Sequence, residues 1–219
     1  MFSWSQTLAL APLTIIAAGL TVGAASEAAQ ARPGNRNAGH RHDPGHFFMR
    51  LSAGAGFSSM GSDDSGETTL SGIGGMGSFA FGATIAPNIA LGVDLFGLSM
   101  FEPSVEQNGN DLGDAENTRA GLGAIGIGAT FYVMPANLYF AGSIGAGVAS
   151  LEFRQSGFSA KADSDVGLAA NLMVGKEWWV ARRWGIGIAA QAVFASLETD
   201  SGEGLNVFGF GLLFSATMN

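Results

Sequence analysis

Bulky apolar residues alternate with small ones along most of the chain after residue 46, and this alternation constrains the fold more than any other feature. The first run, 47–57, places its large side chains two positions apart, which is the period of a strand whose side chains point to two opposite faces. Seven more runs follow, at 73–85, 89–95, 125–133, 138–148, 168–174, 184–194 and 208–214. The sequence therefore predicts an all-β chain with eight strands.

The face opposite the bulky side chains separates this chain from a soluble β-protein. A sheet with one face in water carries charge there, whereas here that face is mostly Gly, Ala and Ser, with charge only at Arg50, Asp94 and Glu177. Charged residues make up 13% of the chain, about half of the roughly 25% found in soluble domains. A large apolar face and a small, weakly polar one indicate a membrane barrel with lipid outside and a lumen inside.

The connections between the predicted strands alternate between long and short. The long ones are 60–71, 101–118, 153–165 and 196–205, and the short ones are 86–88, 134–137 and 179–183. In outer-membrane barrels the short turns lie in the periplasm and the long loops outside. An open sheet edge in lipid would leave backbone groups unpaired. We therefore predict that 47–219 forms an eight-stranded antiparallel up-and-down transmembrane β-barrel with both mature termini in the periplasm.

Cross-strand partners must share a face, and two short turns give a register that meets this condition. A turn at 86–88 sets Phe81 opposite Val93 and Ile85 opposite Ile89. A turn at 134–137 sets Tyr132 opposite Tyr139, both on the lumen side.

The region before the barrel has two parts. Residues 1–31 contain the apolar segment 8–25 and end in an Ala-Gln-Ala pattern, which predicts a secretory signal peptide. A single membrane-anchor helix is the alternative, because about 18 apolar residues nearly span a bilayer. Residues 32–46 are a polar periplasmic linker. Its histidines, His40, His42 and His46, could bind a metal, but we expect an exported tail with no metal or cofactor.

Acidic residues concentrate in the long loops and give the chain a formal charge of −8. Thirteen of the 18 acids lie there: Asp63, Asp64, Glu67, Glu102, Glu106, Asp111, Asp114, Glu116, Asp163, Asp165, Glu198, Asp200 and Glu203. This charge argues against a nucleic-acid partner, which needs a basic face. Solvation of the loops is the simpler interpretation, and a rim that binds divalent cations is the alternative.

With these features the chain resembles the small eight-stranded outer-membrane barrels of the OmpX, OmpW and OmpA-barrel type. The end of the chain, with Gly209, Leu212 and Phe214, is similar to the last strand that the barrel-assembly machinery recognises in such proteins. It departs from that pattern because five residues, 215–219, follow Phe214. The resemblance implies the outer membrane of a Gram-negative bacterium, with membrane lipid and lipopolysaccharide as partners, and leaves the extracellular partner open.

The candidate site residues fall into two groups. Arg50, Asp94 and Glu177 have lumen parity, and we predict a polar cluster in which Arg50 forms a buried pair with one of the carboxylates. Trp178, Trp179 and Trp184 lie beside a periplasmic turn, and we predict that they form part of an interfacial aromatic girdle.

The sequence favours a structural and interaction role in which acidic loops are displayed at the surface. A narrow, OmpW-like conduit for small solutes, including hydrophobic ones, is the alternative, because many inward glycines would leave space in the lumen. We do not expect an enzyme: the chain has no Cys, and no His follows His46 to act as a base for a serine nucleophile.

Overall fold

A computed structural model of the chain describes residues 42–62, 68–155, 158–199 and 202–219. The predicted signal peptide, residues 32–41 of the predicted linker, and the acids Asp63, Asp64, Glu67 and Asp200 lie outside the described residues. Within the described ranges, no helix is long and apolar enough to cross a membrane.

The described residues form one antiparallel sheet that closes on itself. Its strands are β1 (Phe47–Ser62), β2 (Thr68–Ala86), β3 (Ile89–Phe101), β4 (Ser104–Gln107), β5 (Asn110–Asp114), β6 (Thr118–Val133), β7 (Leu138–Gln155), β8 (Phe158–Asp163), β9 (Gly167–Trp179), β10 (Trp184–Glu198) and β11 (Gly204–Met218). Eight of them, β1, β2, β3, β6, β7, β9, β10 and β11, make the barrel, because β1 pairs with both β2 and β11. The predicted all-β, eight-stranded antiparallel barrel is confirmed.

The long connections contain strands that the alternation did not predict. β4 and β5 form a hairpin whose first strand pairs with β2, and β8 pairs with β7. These additions continue the sheet beyond the barrel at one end, called here the long-loop end. The opposite end, with turns 87–88, 134–137 and 180–183, is called the short-turn end.

The register fixes the size of the barrel. Stepping from partner to partner around the sheet, a path that leaves β1 at Phe57 returns to β1 at Phe47, ten residues earlier. The path runs through Phe210, Ala192, Leu172, Gly142, Ala129, Leu91 and Ala83. Eight strands with this offset tilt by roughly 40° to the barrel axis and enclose an interior that side chains can fill.

Most of the predicted cross-strand pairs are confirmed, and one is wrong. Phe81 lies opposite Val93, and Tyr132 lies opposite Tyr139. Ile89 pairs with Ala86 rather than with Ile85, because a bulge between Thr84 and Ala86 shifts the register by one residue. A bulge of this kind places one extra residue in one strand, which a pairing rule based on strict alternation does not foresee.

Glycines on the lumen side stand where neighbouring strands approach most closely. Gly82 and Gly92 face each other across β2 and β3, and a Cβ added to Gly82 would overlap the Leu91 carbonyl oxygen. The facing pair Gly126 and Gly145 is similarly blocked by the backbone of its neighbouring strand. These glycines therefore permit the tight bending of a small barrel wall, and the space beside them is already occupied.

This close approach predicts that Gly82→Ala destabilises the barrel. We expect a loss of about 1–3 kcal/mol in the free energy of unfolding, because the new methyl group forces the β2 and β3 backbones apart. The matched control is Gly123→Ala, since a Cβ at Gly123 meets no atom within 4 Å. Urea unfolding in lipid vesicles measures both variants, and equal stability of the two would contradict the packing argument.

Candidate functional site in the lumen

An apolar layer fills the long-loop half of the lumen. Its buried members are Met60, Met76, Phe96, Leu98, Met100, Ala120, Leu122, Ala149, Ala169, Val193, Ala195, Leu197 and Val207. They come from all eight barrel strands, and each has the inward parity of its strand. An ion that entered from this end would have to cross apolar side chains without compensating polar groups, which is costly.

Asp94 organises a hydrogen-bonded network in the lumen. Its Oδ1 accepts a hydrogen bond from Ser78 Oγ at 2.7 Å, and its Oδ2 accepts one from Ser143 Oγ at 2.7 Å. Asn171 Nδ2 donates to the same Oδ2 at 2.9 Å, while Asn171 Oδ1 accepts from Gln191 Nε2 at 2.9 Å. The network connects β2, β3, β7, β9 and β10, so one buried carboxylate braces five of the eight barrel strands.

Arg50 lies in the lumen with aromatic neighbours. It is 1% exposed, and its guanidinium carbon lies 4.5 Å from the centre of the Tyr139 ring and 5.7 Å from that of Phe48. A guanidinium over an aromatic face is attracted to the negative face of the ring. Its Nε and Nη1 have no hydrogen-bond partner among the described residues.

Glu177, the third lumen charge, is also buried and is held by a hydroxyl group. Thr217 Oγ1 donates to its Oε1 at 2.5 Å. Its backbone is tied to the turn at 134–137, since the Glu177 N–H donates to the Asn137 carbonyl oxygen at 3.0 Å. Glu177 therefore links β9 to β11 through its carboxylate and to the turn at the short-turn end through its backbone.

The predicted buried ion pair is wrong. Among the described residues the ion pairs are Arg154–Glu152 and Lys161–Asp163, and both are at the surface. Arg50 is within ion-pair distance of neither predicted partner. A strand pattern predicts that three charges share the lumen, but it cannot say that hydroxyl and amide donors already occupy the carboxylates.

A cavity of about 20 Å³ is lined by Arg50 and Asp94 together with Ala80, Ala90 and Thr130. Its volume is close to the roughly 10–15 Å³ that a single water needs. Apart from Arg50 and Asp94 the lining is mostly apolar, so the cavity has room for about one water beside these two side chains and is too small for a solute path.

His42 closes the short-turn end of the lumen, although the sequence placed it in the polar linker. Its ring is 1% exposed and stacks on Tyr132, with ring centres 3.5 Å apart. Its Nε2 lies 3.1 Å from Asn137 Oδ1, and its carbonyl oxygen accepts from the Asn88 N–H at 3.0 Å. The linker boundary at 46 stays a prediction, but this part of the predicted linker packs on the barrel.

The predicted tryptophan girdle stays a prediction for Trp178 and Trp184 and is wrong for Trp179. Trp178 and Trp184 point outward and are 48% and 39% exposed. Trp179 has inward parity, and its ring centre lies 5.2 Å from that of His42. Successive residues of a strand point to opposite faces, so Trp178 and Trp179 cannot both face lipid. Trp179 instead packs near His42 at the short-turn end of the lumen.

The lumen predictions missed several partners that share lumen parity. Ser78 and Ser143 belong to the Gly, Ala and Ser set of the inward face, and Thr217 follows the last predicted run, 208–214. Their signal was available, because each lies on the inward face of its strand at a depth where a charged residue needs a donor. For His42 no strand pattern existed, since it precedes β1.

Comparison with known proteins identifies the fold. No family model matches the chain, and no curated protein matches it in sequence. Neisserial surface protein A matches in structure with a TM-score of 0.53 and 13% identity, over 78% of this chain and 96% of that one. The fold is therefore that of the small eight-stranded outer-membrane barrels.

Two further structures are similar with lower scores. The attachment invasion locus protein Ail of Yersinia pestis has a TM-score of 0.45 and 14% identity, over 78% of this chain and 99% of that one. The outer membrane protein OprG of Pseudomonas aeruginosa has a TM-score of 0.42 and 16% identity, over 81% and 98%.

The Asp94 network predicts that Asp94→Ala lowers the free energy of unfolding by about 3 kcal/mol or more, because buried donors lose their acceptor. Asp94→Asn keeps one acceptor oxygen and should cost less. Glu106→Ala removes an exposed acid instead, and we expect it to change stability by less than about 0.5 kcal/mol. Urea unfolding in vesicles compares the three, and similar effects of Asp94→Ala and Glu106→Ala would contradict a bracing role.

The packing of His42 predicts a pH-dependent closure of the short-turn end. Burial lowers the pKa of His42 below its ordinary value of 6.5, and the hydrogen bond to Asn137 and the charge of Asp43 only partly oppose this. Between the lowered pKa and 6.5 the detached segment binds more protons than the packed one. Packing is therefore fully stable above pH 6.5 and weakens as the pH falls through this window.

We expect the amide of Asn88, which bonds to the His42 carbonyl, to exchange with deuterium faster at pH 5 than at pH 7.5, after correction for intrinsic exchange. His42→Gln should remove this pH dependence, and His46→Gln, at an exposed position, should retain it. An unchanged pH dependence in His42→Gln would exclude His42 as its source.

Proposed function

We propose that this chain is an integral outer-membrane β-barrel protein of a Gram-negative bacterium with a closed lumen and a structural and interaction role. The main support for this proposal is the large apolar side chains exposed on the outward face of the barrel. Ile73, Ile127 and Phe214 are 75%, 72% and 78% exposed, and similar side chains surround the wall. A soluble monomer rarely exposes a continuous apolar surface of this kind, whereas a band of it is what a membrane barrel presents to lipid.

The orientation follows the general rule for such barrels. Long connections face the outside and short turns the periplasm, which places the start of β1 and the end of β11 in the periplasm. A signal peptide over 1–31 and the linker 32–46 fit this route. β11, which ends the barrel, is the strand we assign to recognition by the barrel-assembly machinery.

The acidic rim is the part of the molecule that we assign to interactions. The described loop acids are exposed, and Glu102, Glu106, Asp111, Asp114 and Glu116 lie around the β4–β5 hairpin. Among the described residues no group of three metal-ligating side chains occurs, so solvation and partner contacts are better supported than a divalent-cation rim. The outer-membrane partners are lipid and lipopolysaccharide, nucleic acid is not a partner, and the extracellular partner is left unspecified.

The alternative of a narrow conduit is not favoured. The inward glycines leave little space in the wall, because neighbouring backbone occupies it. The long-loop half of the lumen is filled by apolar side chains, and the cavity beside Arg50 has room for about one water.

We also propose that the protein is not an enzyme. Within the described ranges, the buried His42 and the exposed loop acids lie at opposite ends of the barrel. They therefore cannot combine into a nucleophile–base arrangement, which requires hydrogen-bond contact.

Labelling of single cysteines on whole cells tests both location and orientation, and the absence of native Cys makes the reporter specific. We expect a membrane-impermeant maleimide to label Asp111→Cys on intact cells. Arg182→Cys, at an exposed position of a short turn, should be labelled only after the outer membrane is permeabilised. Labelling of Arg182→Cys on intact cells would contradict the orientation, and labelling of neither variant on intact cells would contradict surface display.

A further inference from the structure

The basic residues of the long-loop end share one side of the outer wall. Within the described ranges they are Arg119 on β6, Arg154 on β7 and Lys161 on β8. Cross-strand pairing aligns Arg119 with Glu152 and Glu152 with Lys161. Arg154 lies two residues from Glu152 and therefore on the same face. These three cations, called here the basic row, interrupt a rim that is otherwise acidic.

The two arginines line one cleft on the outside of the barrel. The cleft has a volume of about 240 Å³, and Phe101, Glu102 and Glu152 also line it. The guanidinium carbon of Arg119 lies 4.5 Å from the centre of the Phe101 ring, which supports it from one side. No carboxylate among the described residues is within ion-pair distance of Arg119, so its charge is available to a ligand.

Arg154 and Lys161 have carboxylate partners that a stronger anion can replace. Arg154 Nη2 lies 2.6 Å from Glu152 Oε1, and Lys161 Nζ lies 2.9 Å from Asp163 Oδ2. Surface ion pairs of this kind contribute about 0–1 kcal/mol. Arginine binds phosphate with two parallel hydrogen bonds, so a phosphate group can compete for Arg154.

The wall below the basic row is smooth and apolar. On β6, the outward positions between Arg119 and Ile125 are Gly121 and Gly123, and a Cβ added to Gly123 would meet nothing within 4 Å. Ile125 and Ile127 follow and are 55% and 72% exposed. Arg119 therefore stands directly above a strip where an acyl chain can lie against the barrel.

We propose that this cleft binds the phosphate of a lipid headgroup in the membrane leaflet at the long-loop end. With the orientation proposed above, on which this inference rests, the ligand is the phosphorylated headgroup of lipid A. Glu152 already pairs with Arg154, and Glu102 also lines the cleft, so the net charge there is small and a free anion gains little. A lipid gains more, because its acyl chains contact the apolar wall while its phosphate contacts Arg119 and Arg154.

Native mass spectrometry of the full chain in detergent tests the proposal with lipid A as the probe. We expect Arg119→Gln/Arg154→Gln to bind lipid A at least about tenfold more weakly than the unmodified chain, because charge-assisted contacts are lost. The control is Arg182→Gln/Arg183→Gln, which removes the same charge at the short-turn end and should bind normally. Dephosphorylated lipid A should bind the unmodified chain about as weakly as lipid A binds the first variant.

Unchanged binding by Arg119→Gln/Arg154→Gln, an equal loss in the control, or equal binding of dephosphorylated lipid A would overturn the assignment. Displacement of lipid A by millimolar inorganic phosphate would show that a free anion suffices and would overturn the lipid as the ligand. A mobility difference between boiled and unboiled samples on a gel reports barrel formation in every variant. The gel thereby distinguishes failure of lipid binding from failure of the barrel, and the cysteine labelling described above reports the orientation separately.

Discussion

The structure depends on one constraint: a sheet whose outer face is apolar must pair all of its backbone groups within itself. Closure between β1 and β11 meets this requirement, since an open edge in lipid would cost several kcal/mol for each unpaired group. Closing only eight strands bends the wall strongly, and the bend explains the glycines better than an open lumen does. Facing pairs such as Gly82 and Gly92 stand where no side chain fits between adjacent strands.

A lumen this narrow determines how its charges are stabilised. Arg50, Asp94 and Glu177 are all buried, and each is compensated by different neighbours: two aromatic rings, three side-chain donors and one hydroxyl group. Because Asp94 accepts hydrogen bonds from three neutral side chains and forms no ion pair with Arg50, its bonds reach more strands than one ion pair could. The charges therefore brace the barrel, and the apolar layer above them keeps the lumen closed.

Most of what the sequence predicts follows from the alternation of inward and outward side chains along each strand. The eight strands, the lumen side of Arg50, Asp94 and Glu177, and the Tyr132–Tyr139 pair all follow from a period of two and from short turns. The same period of two, applied to each residue of β9, places Trp179 on the inward face and Trp178 on the outward face. Alternation does not predict three features: the bulge near Thr84, the added strands β4, β5 and β8, and the packing of His42 in the lumen. Each depends on contacts between segments that have no alternating pattern.

The exposed acids and the exposed cations at the long-loop end lie on different parts of the chain, and this difference separates their roles. Most of the exposed acids lie on connections beyond the barrel, where water solvates their carboxylates away from the apolar outer face. The cations Arg119 and Arg154 lie instead on strands that continue from the wall itself, so the register that closes the barrel also fixes their height above Ile125. A headgroup site needs that fixed height, because the acyl chains and the phosphate of one lipid must be in contact at the same time. The offset of the strands, set by closure, therefore decides where on the outer wall a charged group can meet the edge of the membrane.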